Sequence, residues 1–380
     1  MSNTVKWFHS GMGGAPVLSG TAGAMLALLD ACLVNGFNLQ TLTSLVVAAN
    51  VATATKASHG VVVGQLVEIA GASPAGLNGL QRVTGIGGNT FTFTTSGISD
   101  QTATGTITAK TPPAGWEKAF SGTNKAAYRS LNGASNKPVL RLDDTGTTSA
   151  RVVGYEAMTD VDTGTGPFPT AAQMSGGAYW LKSATADSTA RAWTLVADDQ
   201  GFWLIRTHGA ATYTSFDAFT EFASEKPGDL YNAWLTGCTS AAHLSALGLW
   251  FPCSATGSAA MSAWIPRAST QVSGAIAAGP CIPNAAGTNG YSGANNTGMA
   301  YPNPVTGGLV LSRTAMRESG GGVRCLAMPG LLTTPQTQPL AHLDIVNNVA
   351  DIGNRDLLIV SCENLSFGGR VGFDITGPWR

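Results

Sequence analysis

Residues 139–170 read VLRLDDTGTTSARVVGYEAMTDVDTGTGPFPT. Val139 to Leu142 has the alternation of a strand, and Ser149 to Glu156 reads as its return. Between them Asp143-Asp144-Thr145-Gly146 predicts a turn, because Asp and Gly tolerate the backbone angles of a tight reversal. A polar Gly/Thr/Asp loop follows and ends at Pro167-Phe168-Pro169. A chain whose densest pattern is a hairpin with a long decorated loop points to β architecture.

Working outward, the same alternation recurs. Leu45 to Thr55 predicts a strand pair turning at Ala49-Asn50. His59 to Ala109 predicts a compact β unit, with strands at Val61–Ile69, Leu80–Gly85, Thr90–Thr94 and Ala103–Ala109. Lys110-Thr111-Pro112-Pro113 closes it, since consecutive prolines interrupt strand pairing. Further hairpins are expected at Ala192–Thr207, turning at Asp198-Asp199-Gln200-Gly201, and at Leu357–Thr376. Thr4–His9, Leu309–Arg313 and Val323–Ala327 read as single strands.

Helical spacing occurs clearly once, over Thr21–Asn35. There Ala22, Met25, Leu26, Leu29, Cys32 and Leu33 form a stripe, with Ser19 or Thr21 as candidate cap and Gly36 as stop. The expected fold is mostly β: a multidomain β-sandwich/barrel architecture with one N-terminal helix and a small inserted β-barrel. Residues 1–57 with 110–170 form the first domain, 58–109 the insert and 171–380 a second large domain. Residues 280–304 form a long Gly/Asn/Ala/Pro loop, expected to be functional or an arm to a neighbour.

The chain has 380 residues, of which 11% are charged, against roughly 25% in an average soluble protein. The net charge of -1 leaves no basic surplus for a phosphate backbone, so no nucleic acid is expected as a partner. A charge-poor exterior suits a protein covered by neighbours. The start, MSNTVKWFHSG, lacks the order of a signal peptide, and no apolar run predicts membrane insertion. Cys32, Cys238, Cys253, Cys281, Cys325 and Cys362 show neither a CxxC pair nor a zinc spacing and read as buried small hydrophobes.

Two motifs carry a resemblance. The run R-x-D-D-T-G-T-T-x-A-R-V-x-G-Y-E-A-M followed by G-T-G-P-F-P-T, here Arg141 to Met158 and Gly164 to Thr170, is similar to a stretch in a group of tailed-bacteriophage virion proteins. Pieces near the end of the chain resemble the same group: Ala327–Leu331, Pro339–His342 and Gly369–Val371 through Pro378-Trp379. The unit at His59–Ala109 resembles a small β module inserted in phage virion proteins. It matches at His59-Gly60, Gly64, Val67, Ile69, Gly71-Ala72, Pro74, Asn78-Gly79, Val83-Thr84, Thr90–Phe93 and Ala103–Thr108, with Gln65 departing where an acidic residue is common. The resemblance implies a virion structural protein of the tail tip or baseplate, assembled in the host cytoplasm as a homo-oligomer with other tail proteins. Capsid decoration and binding of a host-surface glycan are the alternatives.

There is no G-x-S-x-G elbow, and Gly85–Gly88 lacks the Lys-Ser/Thr of a phosphate loop. His9, His59, His208, His243 and His342 form no close pair in sequence and read as structural. Asp143, Asp144, Asp160 and Asp162 are the carboxylate clusters. A glycosidase needs two carboxylates about 5 to 10 Å apart across a sugar bond, but Asp143-Asp144 sits in a turn that favours Asp for its own sake. Asp160-Val161-Asp162-Thr163-Gly164 is half a calcium loop without the further acidic ligands. Trp180, Trp193, Trp203, Trp234, Trp250 and Trp264 read as core anchors before a sugar platform. The expectation is a non-enzyme with no catalytic, cofactor or metal residue.

Overall fold

A computed structural model describes residues 5–209, 214–241, 261–281, 302–320, 322–333, 339–363 and 368–380. The chain is built from curled antiparallel sheets that form half-barrels. The largest has fourteen strands. Its main path starts at Lys6–His9 and runs through Trp193–Ala197, Gly201–Thr207, Thr214–Glu221 and Ala233–Cys238 to Ala178–Leu181. From there it crosses Ser149–Tyr155, Val139–Asp143 and Lys125–Ser130 to the edge strand Trp116–Gly122. A branch leaves Ala233–Cys238 through Met261–Arg267, Ser273–Cys281 and Ala315–Glu318 to Val323–Cys325. The boundary expected at residue 170 therefore falls inside one continuous sheet. Residues 149–152 and 178–181 pair directly, and their apolar positions share one core.

That core gathers the helix stripe, Trp116, Tyr128, Trp180, Trp203, Phe219 and Trp234. Buried indoles keep their N–H groups satisfied on carbonyls: Trp180 on Thr236 at 2.7 Å, Trp203 on Pro329 at 2.8 Å and Trp116 on Asp198 at 2.9 Å. The expected helix is present in two parts, an α segment Ala24–Leu29 and a π segment Asp30–Asn35. Met25, Leu29, Cys32 and Leu33 are buried as the spacing predicts, whereas Ala22 is exposed and lies outside the helix. Gly36 ends it at φ 71°, ψ 176°, which favours glycine, and its N–H bonds Ala31 O at 2.9 Å. The wider π turn leaves the carbonyls of Cys32 and Leu33 for the N–H groups of Ala114 and Gly115, at 2.8 and 3.2 Å. The chain returning from the insert is thus stitched to the helix end.

The insert is an eight-stranded sheet curled around its own core. It begins earlier than residue 58. Phe37–Thr41, Ser44–Ala48 and Val51–Thr55 belong to it, with Leu66–Ala70, Gly79–Ile86, Thr90–Thr94, Gln101–Thr102 and Thr108–Thr111. The Leu45–Thr55 pair turns at Ala49-Asn50 as expected, both at positive φ. Its inward side chains Leu45, Val47, Ala52 and Ala54 complete the hydrophobic cluster around Phe91 and Phe93, which is why the unit cannot start at 58.

The motif residues of this unit are structural. His59 Nδ1 accepts the Val61 N–H at 3.0 Å, so its Nε2 carries the proton and donates to Gly87 O at 3.1 Å. Gln65, fully buried, accepts the Val62 N–H at 2.9 Å, a local bond within reach of a neutral amide. Asn78 mimics a strand partner: its Oδ1 accepts from Ala72 N at 2.9 Å and its Nδ2 donates to Ala72 O at 2.8 Å. A third sheet of five strands, Ser312–Arg313, Leu331–Thr333, Gly368–Asp374, Arg355–Glu363 and Ile345–Val349, closes the other end. It packs Leu331, Leu358, Val360, Val371 and Phe373 onto the main core. Asn78→Ala unpairs both Ala72 groups and is expected to destabilise the protein by about 1–3 kcal/mol in urea unfolding. Asn78→Asp, which keeps the acceptor and loses the donor, is expected to lie between it and the wild type.

Candidate functional site

The hairpin Val139–Tyr155 lies beside the helix N-terminus. Strands Val139–Asp143 and Ser149–Tyr155 pair with Asp143 opposite Arg151. The turn turns Asp144 inward, where it has no solvent exposure. Asp144 Oδ2 accepts the N–H groups of Met25 and Leu26, at 2.7 and 3.0 Å, and its carbonyl accepts from Gly23 at 3.0 Å. Neither Ser19 nor Thr21 caps the helix, whose N-cap is Gly23 at φ 79°. The cap arrives from 118 residues away along the chain. A carboxylate at this place satisfies orphan amides and faces the positive end of the helix.

Asp144 Oδ1 faces the Lys182 ammonium, which also has no solvent exposure. Lys182 donates in addition to Thr21 O and Gly146 O, both at 2.7 Å, so its three protons are all placed. Burial pushes the Asp144 carboxyl up and the Lys182 ammonium down from their ordinary values, each opposed by the other's charge. This carboxylate is saturated and sealed from any substrate.

Asp143 lies outside. Its Oδ1 accepts from Thr145 N at 3.2 Å and Thr145 Oγ1 at 2.6 Å, the turn role expected of it. Asp143 and Asp162 share two cations: Arg141 reaches Asp162 at 2.6 Å and Asp143 at 3.4 Å, and Lys125 reaches them at 2.9 and 3.8 Å. Asp160 accepts the Asp162 N–H at 2.8 Å and turns the loop. The side on which Asp162 would hold calcium is taken by a guanidinium and an ammonium. Among the described residues no group of three or more His, Cys, Asp and Glu side chains is placed to hold a metal ion.

The two halves of the long motif meet at Gly154 and Phe168. Their backbones bond reciprocally, at 2.9 and 2.8 Å, and the Phe168 ring lies where a Gly154 side chain would be. Glu156 takes a fork of two bonds from Arg267, at 2.6 and 2.7 Å, and Arg151 lies 3.8 Å over the Tyr179 ring. The motif is a set of braces between hairpin, helix and neighbouring strands.

Of the tryptophans singled out, Trp180, Trp203 and Trp234 are fully buried and Trp193 and Trp264 nearly so. Trp250 and His243 lie outside the described residues, as do residues 282–301 of the expected arm. Cys32, Cys238 and Cys325 are buried free thiols, which burial pushes above the ordinary thiol value. His208 is buried, and His9 and His342 share a cleft of about 390 Å³ between the first strand and the terminal sheet. Each accepts a backbone N–H at Nδ1, from Gly11 and Ser361, both at 3.1 Å. Sequence spacing could not show this meeting, since the two lie far apart in the chain. Lys182 has no motif of its own; a lone Lys after the apolar run Ala178–Leu181 is its only signal in the sequence. Among the described residues no helix is long and apolar enough to cross a membrane. No protein-family model matches the chain, and no curated protein matches it significantly.

Lys182→Met leaves Asp144 buried without its counter-ion and is expected to cost about 3–5 kcal/mol in urea unfolding. Asp144→Asn strands the ammonium and should cost a similar amount. The double variant should cost less than the sum, because the two charges are one unit.

His9 gives a pH dependence. Burial, with a smaller contribution from the His342 charge, lowers His9 from 6.5 to about 4. The unfolded chain therefore binds a proton that folded His9 refuses, and stability falls as pH drops from 6.5 toward 4. Asp217, raised by burial to about 6, acts with opposite sign between pH 3.8 and 6. The comparison that isolates His9 is thermal unfolding of wild type against His9→Gln, whose melting temperature should fall less on acidification.

Proposed function

We propose that this chain is a structural subunit of a tailed-phage virion, built into the tail tip or baseplate, where it works by symmetric assembly with copies of itself and with neighbouring virion proteins. The resemblance of residues 141–158 and 164–170 to virion proteins supports the particle. The observation that carries assembly is where the charges are. The chain has 21 basic and 22 acidic residues, and among the described residues ten of them are buried in the fold. Arg206 pairs with Asp217, Arg324 with Asp229 and Glu318, and Arg380 with Asp198, as Lys182 pairs with Asp144. An exterior already poor in charge is depleted further.

The insert shows what is left outside. Four neighbouring strands, Thr90–Thr94, Val51–Thr55, Ser44–Ala48 and Gln101–Thr102, contain no charged residue. Their inward positions fill the barrel core, and outward stand Val46, Val51, Thr53, Thr92, Thr94 and their neighbours. Val46 and Val51 are 38% and 39% exposed. A neutral surface of hydroxyl and methyl groups loses little hydration when covered, which matches the charge depletion at the centre of protein interfaces. Repetition around a symmetry axis then multiplies modest contacts. The reading assigns no catalytic step.

Light scattering on the purified chain is expected to show a closed oligomer. Val46→Lys with Val51→Lys should shift it toward monomer with an unchanged circular dichroism spectrum. A wild-type monomer at every concentration would overturn the assembly reading. A reconstruction of the intact particle locates the subunit: density on the shell makes it a capsid decoration protein, and absence from purified virions ends the reading.

A further inference from the structure

A cleft of about 630 Å³ opens between strand Leu331–Thr333, the turn Ala350–Gly353 and residues 374–380. Its size suits a small ligand. It lies on the terminal sheet, and the end-of-chain pieces Ala327–Leu331 and Pro378-Trp379 line it.

Its wall is built around Asp374, which is 5% exposed. Asp374 Oδ1 accepts the N–H groups of Thr376 and Gly377, at 2.9 and 3.0 Å, and Oδ2 holds Arg355 Nη1 at 2.6 Å. Arg355 Nη1 also donates to Pro378 O at 3.0 Å. The guanidinium is thereby anchored at one nitrogen, and its Nε and Nη2 donors make no further bond among the described residues. That is a guanidinium oriented before any ligand arrives. Across the cleft Arg313 is exposed and has no acceptor among the described residues.

Trp379 supplies a fixed ring. Its indole N–H donates to Asp374 O at 2.8 Å, and the ring lies against Gly330, whose missing side chain makes the room. It is partly buried against the main core and, unlike the fully buried anchors Trp180, Trp203 and Trp234, keeps part of its surface open. Beside it Met328, Leu331 and Ile352 give an apolar lining, and Asp351 stands exposed on the rim as an acceptor.

We infer that this cleft binds a carboxylated saccharide, such as a uronic acid unit of an acidic polysaccharide. The three kinds of group choose it together. Arg355 and Arg313 match a carboxylate, which a guanidinium holds with two parallel bonds. The C–H face of a pyranose packs on an indole as other apolar surfaces do. Asp351 accepts from sugar hydroxyls. A neutral sugar leaves the arginines unanswered, and a simple aliphatic acid leaves Asp351 so. The inference does not depend on the assembly reading, because it concerns a site contained within one chain.

Calorimetric titration of the full chain with trigalacturonate tests it, with galactotriose as the neutral match and inorganic phosphate as competitor. Trigalacturonate should bind roughly tenfold or more tighter than galactotriose. Arg313→Gln, at an exposed position, should weaken that binding by a similar factor with an unchanged melting temperature, and Arg355→Gln should weaken it further. Absence of trigalacturonate binding at millimolar concentration overturns the inference. So do equal affinity for the two trisaccharides, displacement by phosphate at equal concentration, or binding unchanged in both variants.

Discussion

An ammonium and a carboxylate sealed from water hold three parts of this chain in register. Asp144 joins the turn of the central hairpin to the first turn of the helix, and Lys182 ties both to the strand Ala178–Leu181. Neither charge tolerates the interior alone, since an unpaired ion there costs several kcal/mol. The attraction between them is less important than the number of contacts that must coincide. Two helix amides, two carbonyls and one ion pair are met only in one arrangement of helix, hairpin and strand. Well-packed apolar residues of the same volume would serve stability as well, but they carry no directional contacts of this kind.

The same device recurs across the sheet. Arg206 and Asp217 on neighbouring strands, and Arg324 between Asp229 and Glu318, are each buried and opposed. A chain with few charges that places many inside has two properties at once. Its interior is specified by directional contacts, and its exterior is left to threonine, serine, alanine and valine. The neutral face of the barrel and the internal ion pairs are therefore two sides of one distribution. The terminal sheet departs from it: there Arg313, Asp351 and Arg355 are at the surface and gathered in one concavity.

Placing the barrel depended on a less obvious contact. Its strands begin directly after the helix, at Phe37, and its last strand returns to the helix end, where Ala114 and Gly115 bond the carbonyls freed by the π turn. Insertion of a whole sheet between helix and hairpin thus costs little order elsewhere, because entry and exit lie side by side. The boundary expected at residue 58 comes after three strands that already belong to the barrel. Strands Ser44–Ala48 and Val51–Thr55 look equally suited to either sheet until their inward residues are seen against Phe91 and Phe93.

Local features were readable from residue order because they depend on neighbours in the chain. The alternation that made Val139–Tyr155 a hairpin, the positive-φ turn at Ala49-Asn50, the helical stripe from Met25 to Leu33 and the Asx role of Asp143 all stand in the structure. The helix cap, the counter-ion of Asp144, the single sheet spanning residue 170, the meeting of His9 with His342 and the cleft beside Trp379 could not be read that way. Each joins residues tens to hundreds of positions apart. A period of two or of 3.6 reports which way a side chain faces. Only burial in a common interior decides what it faces, because there every polar group has to find a partner that the chain supplies from wherever the fold brings it near.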